Sequence, residues 1–261
     1  MNGSEFPIPN VDPFPLLGRI AKRAFDVVVD ACGLIRASPL FVVMPIVIKA
    51  TSHGSVFYRA NRVGQFRHEF AMIKFRTMTA TADLSGPLVT GGDDPSITRA
   101  GTWMRKMKIE KIPQFYNVLA DSMSVVGPRQ QSPPYIQYYG REGLRSLAVK
   151  PGLTSPAMIV SQESLLTLGS PKEVEQYYVD QLLPKRIERN LAYIDYWSFS
   201  ADIKCVYRTI RALFSTDTSR RHNPIGNQKQ ADGELKNQLG KTWDYRFSTI
   251  YFKARLHAIV N

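Results

Sequence analysis

Residues 24–48 read AFDVVVDACGLIRASPLFVVMPIVI, the most apolar stretch of the chain, and how they fold decides the architecture. Asp26, Asp30 and Arg36 interrupt the stretch, and its longest uncharged run, 37–48, has 12 residues. A membrane-spanning helix needs about 20. Ser38-Pro39 sits near the middle, where proline removes a donor and clashes with the preceding turn. The pattern over 24–49 therefore predicts helix, break, helix. Two arrangements satisfy it. One is a buried core helix broken by a loop. The other is a re-entrant hairpin that enters one leaflet and turns back, with Lys22, Arg23 and Lys49 at the headgroup level.

A second amphipathic signal lies at 202–214 (DIKCVYRTIRALF). Ile203, Val206, Tyr207, Ile210, Leu213 and Phe214 share a helical face, and Lys204, Arg208 and Arg211 border it. An apolar face with a cationic border suits the surface of an anionic bilayer, and it equally suits a helix on a soluble core. Between the two signals, 55–58 and 69–75 are β-prone runs around Val63-Gly64-Gln65, a short hairpin. Residues 83–95 are a Gly/Pro/Asp loop, 97–119 is helically patterned, and 127–134 is again loop. Residues 172–198 read as helix with Pro184 kinking or dividing it. From 215 to 241 the composition turns to that of a linker, and 243–260 is apolar without a decisive period.

Of the 261 residues 44% are hydrophobic and 11% aromatic, enough for a core, which excludes wholesale disorder. The 34 Lys+Arg against 22 Asp+Glu leave a net charge of +12, which calls for an anionic partner. No recognisable nucleic-acid module interleaves that charge with aromatics, so no nucleic acid is expected. Two cysteines exclude a disulfide framework or a cysteine zinc site. The four histidines show no i,i+4 pair, so any metal must rest on oxygen ligands. The proline-rich first fifteen residues do not read as a secretory signal.

The candidate phosphate binders are Lys74 and Arg76, two apart on a predicted strand; Arg105, on the predicted helix; and Arg129, after the Gly127-Pro128 turn. Arginine offers a planar fork to phosphate oxygens and lysine a point charge. The acidic candidates are Glu110, just before Ile112-Pro113, with Asp93, Asp94 and Asp121 in loops. A carboxylate among such cations would be ionised, and could serve as a nucleophile or a magnesium ligand. Neither a Walker-type loop nor a G-x-G-x-x-G after a strand is present.

Together these blocks are identified as a resemblance. Lys22-Arg23-Ala24-Phe25-Asp26 leading to Ser38-Pro39, Val56-Phe57-Tyr58-Arg59 with Arg62-Val63-Gly64, and Lys74-Phe75-Arg76-Thr77-Met78 come first. Asp94 through Arg105 to Pro113-Gln114 and Asn117 follow, then Met123 through Gly127-Pro128-Arg129 and Lys150-Pro151-Gly152. In this order and spacing, over roughly 22–214, the chain resembles the monotopic bacterial sugar transferases, polyprenyl-phosphate sugar-1-phosphate transferases also called phosphoglycosyl transferases. The resemblance implies an α+β, mostly α fold, with a re-entrant membrane helix-break-helix turning at Ser38-Pro39, a short β-hairpin, interfacial amphipathic helices and no spanning helix. The domain would cover 22–214, after an N-terminal segment 1–21 and before a linker and extension 215–261.

The resemblance further implies an enzyme on the cytoplasmic face of a bacterial inner membrane. Its substrates would be a nucleotide sugar and polyprenyl phosphate, its cofactor magnesium, and its intermediate a phosphosugar bonded to the enzyme. A homodimer is compatible with this. Lys74, Arg76, Arg105 and Arg129 would hold the diphosphate. The family's Asp-Glu dyad is Glu110-Lys111 here: a carboxylate one methylene longer, then a cation in place of the second acid, with Glu110 the one tentative metal ligand. Two expectations follow, an active transferase using Glu110, or a catalytically silent relative that binds or scaffolds in a glycan-assembly complex.

Overall fold

The computed structural model describes residues 11–79, 94–155 and 171–214. Most of the expected loop at 83–95, including Asp93, lies outside the described residues, as do the linker at 215–241 and the apolar stretch at 243–260.

The apolar stretch lies within α1, Leu16–Thr51, one unbroken 36-residue helix with Pro39 and Pro45 inside it. The expected break at Ser38-Pro39 is thus not a break in secondary structure, and the reason is local. Pro39 cannot donate to the carbonyl of Ile35. The Ser38 hydroxyl donates to that oxygen instead, at 2.8 Å. By length and composition α1 could cross a membrane.

The predicted hairpin is present as β1 (Phe57–Val63) and β2 (Glu69–Phe75), antiparallel, with Phe57 opposite Phe75 and Val63 opposite Glu69. The helically patterned run at 97–119 is divided into α2 (Arg99–Met107) and α3 (Gln114–Leu119). Lys108 in left-handed geometry ends α2, and Pro113 precedes α3. Next come β3 (Ser124–Val126), α4 (Arg141–Leu144) and β4 (Gly152–Thr154), with β3 and β4 paired in parallel. Three residues are too few to show alternation, so nothing in the sequence announces that pair. α5 (Pro171–Tyr177) runs through a π turn at Tyr178–Leu182 into α6 (Leu183–Asp195), which places Pro184 in the first turn of α6. α7 is Phe199–Phe214.

Two apolar clusters hold these elements. One joins Val118, Met123, Val125, Val126, Val149, Tyr193 and Ile194; the other joins Met44 and Ile48 of α1 to Phe75 and Met104. What decides the placement of α1 is the polarity of its faces. Its buried residues are Lys22, Asp26, Asp30, Ala37, Met44 and Ile48, spaced by four or seven and so on one face. Val28, Ile35, Val42 and Ile46 are more than 60% exposed. A helix on a soluble core shows the opposite arrangement, with apolar residues inward.

The inward charges are met by protein. Lys22 Nζ donates to Asp202 Oδ2 and to the Val126 carbonyl, both at 2.7 Å. Asp202 is fully buried and also accepts from Tyr193 Oη (2.9 Å) and Trp197 Nε1 (3.0 Å). Asp26 Oδ1 accepts from the Val125 amide at 3.0 Å. Arg23 donates to the carbonyls of Val118 and Leu119, at 2.8 and 3.0 Å, and so closes the C-terminus of α3. On α7 the expected apolar face splits. Val206 joins Asp202 toward the body, and Ile203, Tyr207 and Ile210 stay exposed beside Lys204, Arg208 and Arg211.

Removing one member of a buried ion pair strands the other. Asp202→Ala is therefore expected to cost about 3–5 kcal/mol, read as a lowered thermal unfolding midpoint of the detergent-solubilised chain, and Val28→Asp on the outer face is expected to leave that midpoint nearly unchanged.

Candidate functional site

The site forms where the end of β2 meets the junction of α2 and α3. Thr98 caps α2 by accepting from the Gly101 amide at 2.9 Å. The Thr98 amide in turn donates to the Thr77 carbonyl at 3.0 Å. Gly101 is required here, since an added Cβ would lie 2.0 Å from that carbonyl oxygen. This contact lays the segment after β2 along the first turns of α2, and Arg105 Nε then donates to Thr77 Oγ1 at 2.9 Å. Asn117 of α3 grips β2 on its open edge, accepting from the Ile73 amide and donating to the Ala71 carbonyl, both at 2.9 Å.

Between these anchors the chain turns tightly. Lys108 has φ 59 and ψ 17, a left-handed conformation that costs a non-glycine residue roughly 1–3 kcal/mol. A single 3₁₀ turn, Ile109–Lys111, follows. Ile109 and Ile112 pack against the Met44, Ile48, Phe75 and Met104 cluster, which fixes the turn between them. Glu110 is buried, and its Oε2 has no hydrogen-bond partner.

Burial raises the Glu110 carboxyl above the ordinary glutamate range, with Lys111, Lys108 and Arg105 pulling the other way. Lys111, half-buried, is lowered to about 8, by desolvation first and then by Arg129 and Lys108, against the attraction of Glu110. Lys74 adds to the repulsion on Lys111, and its Nζ lies 4.7 Å from the centroid of the Tyr58 ring. Arg129 is lowered to about 10, by desolvation and then by Arg186. Of the four charged groups acting on Lys111, Glu110 alone is acidic.

The structure thus brings Glu110, Lys111, Lys74, Arg105 and Arg129 into one electrostatic neighbourhood. Arg76 is directed elsewhere. Its guanidinium donates to the carbonyl and the hydroxyl of Ser52, both at 2.9 Å, just past the end of α1. Asp121 is paired with Arg23 (3.0 Å) and Lys150 (2.6 Å). Asp94 is held in its own turn by Ser96, at 2.9 Å from the Ser96 amide, and acts on Arg105 from there. Ser38 and Pro39 lie within α1, in the role described above.

Several contributors lie inside or beside the blocks of resemblance but are not among the candidate site residues read from the sequence. Lys108 sets the turn, Thr77 orients Arg105, and Asn117 locks α3 to β2. A further cationic cluster surrounds Arg129. Arg186 sits 5.0 Å above the Tyr178 ring and donates to its hydroxyl at 3.1 Å, Gln131 donates to the same hydroxyl at 2.6 Å, and Arg62 reaches Ser132. The groups acting on Arg62 and Arg129 include no carboxylate.

Magnesium needs near-octahedral oxygen ligation and is held through one or two carboxylates together with substrate phosphates and water. Here one carboxylate oxygen is open and the next residue is an ammonium. Among the described residues no group of three or more His, Cys, Asp or Glu side chains could hold a metal. A single carboxylate followed in the chain by an ammonium meets only the lower end of that requirement, so the described residues of this turn fit the ion poorly.

The chain belongs to the bacterial sugar transferase family, whose model matches residues 17–216. It is 33% identical over 204 residues to an undecaprenyl-phosphate glucose phosphotransferase of Komagataeibacter xylinus, covering 75% of this chain and 36% of that protein. It is 34% identical over 206 residues to a UDP-glucose:undecaprenyl-phosphate glucose-1-phosphate transferase of Caulobacter vibrioides, covering 77% and 72%. With the exopolysaccharide production protein ExoY of Sinorhizobium fredii it shares 30% over 212 residues, 76% of this chain and 87% of that one. The chain thus spans little more than a third of the Komagataeibacter protein and most of the Sinorhizobium protein.

Lys111 is charged below about 8 and neutral above it, so anion affinity should be full on the acid side and fall as pH rises. Calorimetric titration with pyrophosphate is expected to show binding weakening as pH is raised through about 8.

Proposed function

We propose that the chain transfers a sugar-1-phosphate from a nucleotide diphosphate sugar to polyprenyl phosphate, initiating exopolysaccharide or a related surface glycan. The observation that carries this reading is a buried, unpartnered glutamate oxygen set among lysines and arginines, in a member of the sugar transferase family. The activities of the Komagataeibacter and Caulobacter relatives favour an undecaprenyl acceptor and, from the latter, a UDP-sugar donor.

In this reading a Glu110 carboxylate oxygen attacks the phosphorus that bears the sugar. A Glu110 O–P bond forms, the bond from that phosphorus to the bridging oxygen breaks, and the nucleoside monophosphate leaves with the bridging oxygen and its electron pair. A phosphate oxygen of the polyprenyl phosphate then attacks the same phosphorus and releases Glu110 as the carboxylate. No proton needs to move in either displacement. Arg105, Lys111 and Arg129, with Lys74, hold the diphosphate and offset charge on its non-bridging oxygens, which is most of what catalysis of phosphoryl transfer requires. The raised carboxyl of Glu110 means that the ionised nucleophile is lost at a higher pH than for an ordinary glutamate as the solution is acidified.

The polyprenyl substrate requires a site at the lipid boundary, and we place the chain as a monotopic protein on the cytoplasmic face of a bacterial inner membrane. Supporting this, α1 touches the same body along its length: Lys22 at Asp202, Asp26 at Val125, Gly33 against Phe115, and Ile48 against Phe75 and Met104. A helix so attached cannot be ringed by lipid. It can sink its outward apolar face into one leaflet, and the prolines at 39 and 45 permit the bend of a re-entrant path.

Incubation of the full chain in detergent with UDP-glucose labelled in the sugar and its phosphate is expected to release UMP and to leave a labelled adduct on Glu110. Glu110→Gln should abolish the adduct and reduce turnover by roughly 10⁴-fold or more, the scale seen when a nucleophile is removed. Retained nucleotide binding with neither adduct nor UMP would instead identify a silent, scaffolding relative.

A further inference from the structure

We propose that this site holds a nucleotide diphosphate without a divalent cation, the Lys111 ammonium occupying the place beside Glu110 that a metal ion would otherwise take. The inference rests on the transferase reading above and concerns how that same site meets its substrate's charge.

A diphosphate brings several negative charges to a small volume, and some cation must offset them wherever they bind away from water. Glu110 lies among Lys111, Lys108 and Arg105, and Lys111 in turn lies among Arg129, Lys108 and Lys74. The field continues past Arg129 to Arg186 and Arg62, again with no acid among the groups that act on it. Among the described residues, a divalent ion entering that region would meet five cations, with Glu110 in the turn and Asp94 beyond Arg105 as the acids. It would also compete for Glu110 Oε2, an unpartnered oxygen that must stay unligated to attack phosphorus. Lysine supplies a point charge with three donors, and arginine a fork matched to two phosphate oxygens. The chain therefore carries, as side chains, the charge that a metal would bring.

The placement of Lys111 is fixed by the backbone. It shares one 3₁₀ turn with Glu110, entered through left-handed Lys108, and its amide donates to the Lys108 carbonyl at 3.3 Å. Ile109 and Ile112 pin that turn into the apolar cluster on either side. The backbone of Lys111 is thus fixed one residue after Glu110, and its charge acts on that carboxylate from there.

The test is calorimetric titration of the full chain, in lipid nanodiscs, with UDP in excess EDTA and again in millimolar magnesium. The wild-type Kd is expected to agree within about threefold between the two, whereas Lys111→Glu should weaken binding by roughly 10- to 100-fold in EDTA and recover much of it with magnesium. Binding of UDP by the wild type only when magnesium is present would overturn the proposal and leave the transferase reading standing. Absence of UDP binding under both conditions would overturn the transferase reading as well. The two wild-type titrations decide the matter by themselves if circular dichroism shows that Lys111→Glu does not fold.

Discussion

Lys22 and Asp202 meet at 2.7 Å where Asp202 has lost all contact with solvent, and the orientation of α1 depends on that meeting. Such a pair gains little net stability, because both charges are stripped of water before they attract. Its consequence is orientation. Rotating α1 by half a turn would send Lys22, Asp26 and Asp30 outward and leave Asp202, Tyr193 and Trp197 without the lysine that completes their network. The polar stripe therefore sets which face of the N-terminal half of α1 meets the body and leaves Val28 and Ile35 outward, while Met44 and Ile48 bury apolar surface in the C-terminal half. Asp30 extends the stripe, fully buried with neither carboxyl oxygen hydrogen-bonded. Ile203, Tyr207 and Ile210 on α7 are exposed apolar residues in the same way as Val28 and Ile35 on α1.

The site shows a different use of constraint. Glu110 could have stood on the continuous helix that its neighbours' pattern suggests. There it would have been one exposed charge in a row of charges. The left-handed Lys108 and the proline at 113 break the helix into two short pieces, and the turn between them buries the glutamate. Ile109 and Ile112 pack into the apolar cluster just after left-handed Lys108 and help to hold it in that conformation.

The hairpin, the loop at 127–134 and the division of the helix near Pro184 were legible because each follows from local chemistry. The break expected at Ser38-Pro39 was misread, because the Ser38 hydroxyl takes up the carbonyl that Pro39 leaves free. Alternation, hydropathy and proline act over a few residues. The β3–β4 pair and the inward face of α1 were not legible, since each needs a partner far along the chain: Ser124 with Gly152, Lys22 with Asp202. Lys74 and Arg76 illustrate the same limit within the candidate site. Two positions apart, they look equivalent in sequence, yet Arg76 falls one residue beyond β2 and turns to Ser52, while Lys74 stays on the strand beside Tyr58. Charge density alone could nominate both; only the end of the strand separates them.

That separation joins the membrane face to the chemistry. Arg76 fastens the end of α1 to the end of β2, and one residue further on Thr77 orients Arg105. Met44 and Ile48, from the last three turns of α1, lie in the same cluster as Phe75, Met104 and the isoleucines that flank Glu110. A displacement of the C-terminal half of α1 would therefore move the floor of the candidate site rather than a remote anchor. In the proposed transfer one substrate arrives from water and the other stays in lipid, so the two would meet at the bilayer surface. On that reading, a site built directly on the last turns of α1 would be held at that depth by the same contacts that shape it.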